Sequence, residues 1–248
     1  MTSRNTDKDE ELRVLHWNVH SWRDEADQSN ANAVIELVRK TVPHVVSLVE
    51  VDEMWSRPSV LDEVAAQTGY ASIFAPTFEF GQDQPTGGFG NAILSRLPAL
   101  AVRQRQLTWP TTLYDGTEPS EPRSALFVKL QGPNGPVWIG NTHLPRVGEA
   151  KRSNALQRLS ELLMEQSGPW LLVGDFNTAA DSWIGKQPLW QVCPAPAVPT
   201  YPTAKPVEAI DYCVVPSGSV VQGEVLKRTG SDHLPILVRC RLLGSRPR

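Results

Sequence analysis

The sequence predicts an α/β protein in which strands outnumber helices, the sheets are covered on both faces and the helices lie outside. Three observations support this. Several short segments, among them Val45-Val46-Ser47-Leu48-Val49 and Leu171-Leu172-Val173, are apolar nearly throughout, as strands buried on both faces are. Only three stretches carry helical signals. The 248 residues, 40% hydrophobic and 21% charged, suffice for one large domain with a sizeable core.

Taken in order, Arg13-Val14-Leu15-His16-Trp17-Asn18-Val19-His20 reads as a strand with His16, Asn18 and His20 on one face. An edge strand with a solvated face would read the same way. Residues 32–41 place Val34, Leu37 and Val38 at helical spacing, and Pro43 stops the helix. The strand over residues 44–50 ends in Glu50, with Val46, Leu48 and Glu50 on one face; the acid is either exposed just past the strand or held by a cation. A short helix over residues 58–68 has Pro58 near its start and Gly69 after its end.

Residues 70–78, 90–96 and 99–108 follow as strands, the last alternating as a half-buried strand does. A long polar loop spans residues 109–122. Arg123 then opens a hairpin whose second arm ends in Asn141-Thr142-His143, with Gly132-Pro133-Asn134-Gly135 as its turn. Residues 148–166 form the clearest helix, with Leu156, Leu159, Leu162 and Leu163 as its core stripe.

The run Leu171-Leu172-Val173-Gly174-Asp175-Phe176-Asn177 is the centre of the chain: a buried strand ending in an acid and an amide. On an extended backbone Asp175 and Asn177 project to the same side, although a plain Asx turn has the same composition. Residues 187–206 are proline-rich and predict a surface loop, neither helix nor central strand. Its Trp190 and Tyr201, with Trp183 before it, either pack on the domain or stack on a substrate. Strands over residues 209–215, 220–228 and 236–242 close the chain, with Ser231-Asp232-His233 before the last. The expected division is a flexible start at 1–12, one domain at 13–243 and a tail at 244–248.

Composition narrows the function. The net charge is −3 with a pI near 6.0, and no Lys/Arg run exceeds a pair. Such a surface binds nucleic acid weakly through phosphate neutralisation, although a bound cation in an active site could supply positive charge. Cys193, Cys213 and Cys240 follow no metal spacing; as free thiols they suit a reducing compartment. No segment reads as a signal peptide or a membrane span, so a cytoplasmic protein is expected.

The polar residues at strand tips are Asn18, Glu50, His143, Asp175, Asn177, Asp211, Asp232 and His233. Four carboxylates in one pocket would raise one another's pKa unless a cation offset them. Oxygen ligands without cysteine favour a hard divalent ion, magnesium first, with manganese or calcium as alternatives. Spacing alone does not show that these groups converge.

A resemblance supplies the convergence. Trp17-Asn18, the Glu50 strand tip, Gly90-Asn91-Ala92-Ile93-Leu94-Ser95, Asn141-Thr142-His143-Leu144, Gly174-Asp175-Phe176-Asn177, Ile210-Asp211-Tyr212 and Ser231-Asp232-His233-Leu234-Pro235 occur in an order that resembles the endonuclease/exonuclease/phosphatase superfamily. Each segment is weak alone, and together they run from about Arg13 to Arg241. The resemblance implies a four-layered α/β/β/α sandwich of two packed mixed sheets and metal-dependent hydrolysis of phosphate esters.

Carried over residue by residue, it makes Glu50 the principal metal ligand, with Asn18 and Asp232 helping to position the ion. Asp175 would orient or deprotonate the attacking water, and Asn177 would hold that water or the phosphate. His233 would bond a phosphate oxygen with its tautomer set by Asp211, and His143 would stabilise developing charge or assist the leaving group. Arg123 and Asn91 are carried over as substrate contacts. One departure matters: family members that cut DNA at damaged sites often carry an acid where His20 stands and a tyrosine where His143 stands. The chain therefore looks more like the nuclease, lipid-phosphodiesterase and small bacterial hydrolase branches.

The leading expectation is a phosphoesterase acting on a small-molecule or lipid monoester or diester. A nuclease, and a catalytically silent binding module on the same scaffold, are the alternatives. Specificity is expected in loops at residues 22–29, 81–88, 109–122 and 187–206; the sequence does not specify an oligomeric state.

Overall fold

The computed structural model describes residues 11–108, 121–183, 190–194 and 198–243. The polar loop expected at 109–122 lies almost wholly outside the described residues, as do the tail at 244–248 and most of the N-terminal stretch.

Among the described residues, twelve strands form two six-stranded mixed sheets. The first holds β1 (Leu12–Asn18), β2 (Val45–Met54), β3 (Ala71–Phe80), β4 (Gly87–Ser95), β11 (Val220–Val225) and β12 (Ile236–Arg241), in the order β11-β12-β1-β2-β4-β3. The second holds β5 (Ala99–Thr108), β6 (Arg123–Gly132), β7 (Gly135–His143), β8 (Trp170–Asp175), β9 (Trp190–Cys193) and β10 (Asp211–Pro216), in the order β5-β6-β7-β8-β10-β9. Among the described strands only β1–β2 and β7–β8 are parallel, and each pair is joined through a helix. These helices are α1 (Ala31–Thr41) and α3 (Glu149–Met164); α2 (Val60–Thr68) follows β2. No helix among the described residues is long and apolar enough to cross a membrane.

The helices form where the sequence places them, for local reasons. In α1, Val34, Ile35, Leu37 and Val38 make one buried face, and the chain leaves through Val42 in the left-handed region just before Pro43. In α2, Ser59 Oγ accepts from the Asp62 N–H, Asp62 and Glu63 lie in the first turn, and Gly69 at φ 76° ends it. Pro58 precedes this cap.

Three apolar clusters fill the three interfaces of four layers. Val34, Ile35 and Val38 of α1 and Leu61 and Val64 of α2 pack on Leu15, Val46, Leu48 and Leu94 of the first sheet. Leu156, Leu159 and Leu163 of α3 pack on Phe127, Trp138 and Leu172 of the second. Between the sheets lie Val14, Val45, Ile93, Val128, Ile139, Leu171, Val173, Cys213 and Val238. The fold is thus the α/β/β/α sandwich that the family resemblance implies.

Strand alternation explains where chemistry can occur. Side chains two apart share a face, so the inter-sheet face of β1 runs Leu12, Val14, His16, Asn18. That of β7 runs Val137, Ile139, Asn141, His143, and that of β8 runs Leu171, Val173, Asp175. On every one of these strands the face is apolar at one end and polar at the other. Asn141 shows how the polar end is held together: its Nδ2 donates across the gap to the carbonyls of Leu48 (2.8 Å) and Ala92 (2.9 Å).

Several expectations shift. β1 is flanked by β12 and β2, so it is an interior strand and the solvated-edge alternative fails. It begins at Leu12, buried inside the stretch expected to be flexible. It stops at Asn18; His20–Trp22 is a tight turn with three successive left-handed residues, so His20 leaves the strand. The proline-rich segment contains a short strand, β9, at the sheet edge, where only one neighbour needs its backbone.

Gly174 is fixed by close approach. A Cβ on it would lie 2.0 Å from the Thr142 carbonyl oxygen on the adjacent parallel strand. Gly174→Ala is expected to prise β7 from β8, costing about 2–3 kcal/mol and lowering the melting temperature by roughly 5–10 °C. A thermal melt followed by circular dichroism checks this.

Candidate active site

The polar ends of β1, β7, β8 and β10 meet, with the bulge of β2 and the turn before β12, at one end of the sandwich. The focal atom is Oδ2 of Asp175, which is 1% exposed. It accepts from Asn18 Nδ2 at 3.1 Å and lies 3.5 Å from His143 Nε2 and 3.7 Å from His233 Nε2. Asp175 Oδ1 accepts from the Asn177 N–H at 2.9 Å. This is an Asx turn, so the bland reading of that stretch is present together with the functional one. Asn177 comes back toward the site because its backbone turns left-handed at φ 49°; strand alternation does not bring it there. Its amide donates to the Leu144 carbonyl and lies 3.1 Å from His143 Nε2.

Glu50 arrives by a route that sequence alternation misplaces. β2 does not end at Glu50 but continues to Met54, and its register with β4 shifts between Leu48 and Val51. Glu50 is the bulge residue, at φ 56°. Val46, Leu48 and Val51 all face the helices. The extra residue therefore releases Glu50 from the apolar face that it would share with Val46 and Leu48. Its Oε1 accepts from Asn18 Nδ2 at 2.9 Å, so one amide spans Glu50 and Asp175. Asn18 Oδ1 takes the His20 N–H. As placed, Asn18 bridges two carboxylates through its nitrogen, and ligation of a cation would require the amide turned over. His20 Nδ1 lies 3.8 Å from Glu50 Oε2 and 3.4 Å from Asp232 Oδ1, which puts both partly exposed acids at the opening.

Behind the opening is a buried relay. Asp211 Oδ2 accepts from His233 Nδ1 at 2.8 Å, and Asp211 Oδ1 faces His16 Nε2 at 3.5 Å. His16 Nδ1 meets Ser47 Oγ at 3.0 Å. The backbone of His233 is anchored because Trp17 Nε1 donates to its carbonyl at 2.7 Å and Ser231 Oγ accepts from its N–H. Ligand atoms of Asp175, Asp211 and His233 all lie within 4.8 Å of one another.

The second imidazole is held differently. Arg123, 9% exposed, places Nη1 at 2.6 Å from His143 Nδ1 and Nη2 at 2.9 Å from Glu121. A guanidinium only donates, so Nδ1 must accept and the proton sits on Nε2, facing Asp175. Arg123 thus stands behind His143 in this geometry, at the ring nitrogen turned away from Asp175. Asn91 is likewise turned inward: it is buried, and its Nδ2 donates to the Ser124 carbonyl, tying β4 to β6.

Electrostatics separate the titratable groups. Burial, and then Asp211, push the Asp175 carboxyl up to about 7, partly offset by His233 and the Asn177 N–H. Burial disfavours charge on Asp211 too, but His233 and His16 outweigh it and hold that carboxyl below the ordinary range. For His233, burial is outweighed by Asp211 and Asp175, and its pKa rises to about 10. Burial, then Arg123, keep His143 well below its ordinary value and neutral. The site therefore offers one cationic and one neutral imidazole on either side of a carboxylate.

A sequence model of the endonuclease/exonuclease/phosphatase family matches residues 15–233. The chain belongs to this family. A UPF0294 protein of Vibrio campbellii is 26% identical, over 94% of this chain and 78% of its own. A crystal structure of an endonuclease/exonuclease/phosphatase from Beutenbergia cavernae has a TM-score of 0.77 at 24% identity, covering 94% of this chain and 72% of that one. A mannosyl-6-phosphatase of Bacteroides thetaiotaomicron has a TM-score of 0.71 at 18% identity, covering 93% and 100%. At these identities the structures show the shared fold.

Within this endonuclease/exonuclease/phosphatase fold, the predicted residues Asn18, Glu50, His143, Asp175, Asn177, Asp211, Asp232 and His233 come together, while Asn91 and Arg123 sit behind them. Sequence reasoning missed His16, although its place on the Asn18 face marked it. It also gave no role to Arg146 and left Tyr201 between packing on the domain and stacking on a substrate; both reach the site through loops.

Proposed function

We propose that the chain is a divalent-metal-dependent phosphoesterase that hydrolyses a phosphomonoester or phosphodiester of a small molecule or lipid by in-line attack of water. The observation that carries this reading is the convergence of Asn18, His143 and His233 on one buried oxygen of Asp175. The donor chemistry fits a hard cation: the half-open acids Glu50 and Asp232 offer only oxygen, and a buried carboxyl raised to about 7 marks negative charge lacking compensation. Magnesium is the first choice, with manganese or calcium as alternatives. Glu50 would hold it, with Asp232 and a turned Asn18. When bound, it would stabilise charge on a non-bridging phosphate oxygen.

The chain's own groups supply the rest. Asp175 orients the water and accepts its proton. Asn177 fixes Asp175 through its N–H and presents its amide beside His143. The Nε2–H of neutral His143 donates to a phosphate oxygen. Cationic His233, steadied by Asp211, donates to another oxygen where negative charge grows. A mannosyl-6-phosphatase among the structural relatives agrees with a small phosphate ester as substrate. The free buried thiols agree with a cytoplasmic location.

The test is a panel of phosphomonoesters, phosphodiesters and plasmid DNA with magnesium, manganese, calcium or EDTA. Turnover of p-nitrophenyl phosphate or its bis-ester should need the metal, fall about 10²-fold or more under chelation, and vanish in Asp175→Ala. Metal-independent turnover would defeat the reading, and cleavage of DNA alone would establish the nuclease alternative.

A further inference from the structure

Tyr201 belongs to the proline-rich segment, but it is neither a core side chain nor a free loop tip. Its ring centroid lies 4.7 Å from that of His233, tilted by 43°. The loop that carries it is built into the site. Thr200, fully buried, accepts the Leu234 N–H on its carbonyl at 2.8 Å, and its hydroxyl takes the Asp211 N–H at 3.2 Å. Thr203 N–H bonds the Asp232 carbonyl at 2.8 Å. The Tyr201 backbone pairs with Glu208 in both directions. Any displacement of Tyr201 would therefore pull on the segments that carry Asp211, Asp232 and His233.

Arg146 approaches the same ring from the loop after β7. It lies three residues beyond His143, and Arg152 holds its turn by donating to the Pro145 and Arg146 carbonyls. Its guanidinium carbon is 5.8 Å from the Tyr201 centroid, and Nη2 donates to the Tyr201 hydroxyl at 3.4 Å. That hydroxyl, as acceptor from Arg146, keeps its own proton to donate. The pair thus presents a solvent-facing cation and a phenolic donor next to a catalytic imidazole. The acids Glu50 and Asp232 lie around His20.

The geometry assigns Arg146 and Tyr201 to a second recognition point for an anionic group, a phosphate or carboxylate, on the organic part of the ester. The guanidinium and hydroxyl offer converging hydrogen-bond donors, which suit an oxyanion and do not suit a neutral alkyl chain. This deepens the phosphoesterase reading and rests on it. It selects substrates carrying a second negative charge a few bonds from the scissile phosphate.

Calorimetric titration of the full chain in magnesium buffer tests this, with propyl phosphate and the bisphosphate of trimethylene glycol as paired probes. Wild type should bind the bisphosphate about ten-fold or more tighter. Arg146→Ala should reduce that preference to within about two-fold while leaving propyl phosphate affinity unchanged, and Arg146→Lys should restore part of it. Tyr201→Phe, which keeps the ring over His233, should lose a smaller share. Arg105→Ala, an exposed change on β5, should match wild type. Equal affinities in wild type, no binding of the bisphosphate, or a preference that survives Arg146→Ala would overturn the assignment. Turnover of p-nitrophenyl esters is read separately, so a subsite on a protein without phosphoesterase activity is distinguishable from an active enzyme without the subsite.

Discussion

Asp175→Asn is expected to lower turnover of a p-nitrophenyl ester by about 10³-fold and, without metal, to raise the melting temperature at pH 8. Both effects follow from one atom. The substitution keeps size and shape, and the amide oxygen can still accept the Asn177 N–H. What disappears is the charge and basicity of Oδ2, toward which Asn18, His143 and His233 converge. The stability effect has the opposite sign. Burial, then Asp211, raise this carboxyl from 3.8 to about 7. An acid with a raised folded pKa holds its proton more tightly when folded, so stability is lost as pH rises from about 4 to 7. The amide carries no such charge and escapes that loss. Melts from pH 4 to 8 should show wild type declining and the variant holding, with the gap narrowing when magnesium is added because a nearby cation favours the carboxylate. A variant that is inactive and less stable at pH 8 would mean that Asp175 is a structural acid.

That trade explains which parts of the site are legible in a sequence. Alternation is local, and it carries a strand's inter-sheet face outward from Val14 to His16 and Asn18, or from Val173 to Asp175, before any partner is known. The same rule fails where the backbone departs from extended geometry. Glu50 reaches the site through a bulge, and Asn177 through a left-handed turn; both positions cost strain that the surrounding contacts must hold. Alternation is also blind to which polar residue faces a ligand. Asn91 and Asn141 tie one sheet to the other, and Arg123 backs His143, because tertiary neighbours place an acceptor beside each. Tyr201 and Arg146 are less visible still, since they meet through loops 55 residues apart in sequence. The short strand Trp190–Cys193 hides among prolines that an edge position tolerates.

Asp211→Asn should also be severe, lowering turnover by about 10²- to 10³-fold and stability by about 3 kcal/mol near pH 6. Asp211 is the acceptor that orients His233, and it also faces His16, so its removal strips two buried imidazoles of their carboxylate. Without it, burial acts on His233 with only Asp175 and more distant acids opposing, and the imidazole tends toward neutrality. The pair's contribution has a defined window. Asp211, depressed below its ordinary 3.8, stabilises the fold above about pH 4 and loses that effect as acid protonates it. His233, raised from 6.5 to about 10, stabilises fully below about 6.5 and progressively less as pH climbs toward 10. Urea denaturation without metal should therefore show the difference between wild type and Asp211→Asn largest near pH 5–6 and shrinking by pH 9. Taking the difference cancels most of the Asp175 contribution, which both proteins share. His233→Gln, which removes the titrating group, should flatten the upper limb while leaving Asp211 buried. A wild-type advantage that stays constant from pH 6 to 9 would show that Asp211 supports the fold without holding a charged His233, and the proposed cationic donor would have to be sought elsewhere in the site.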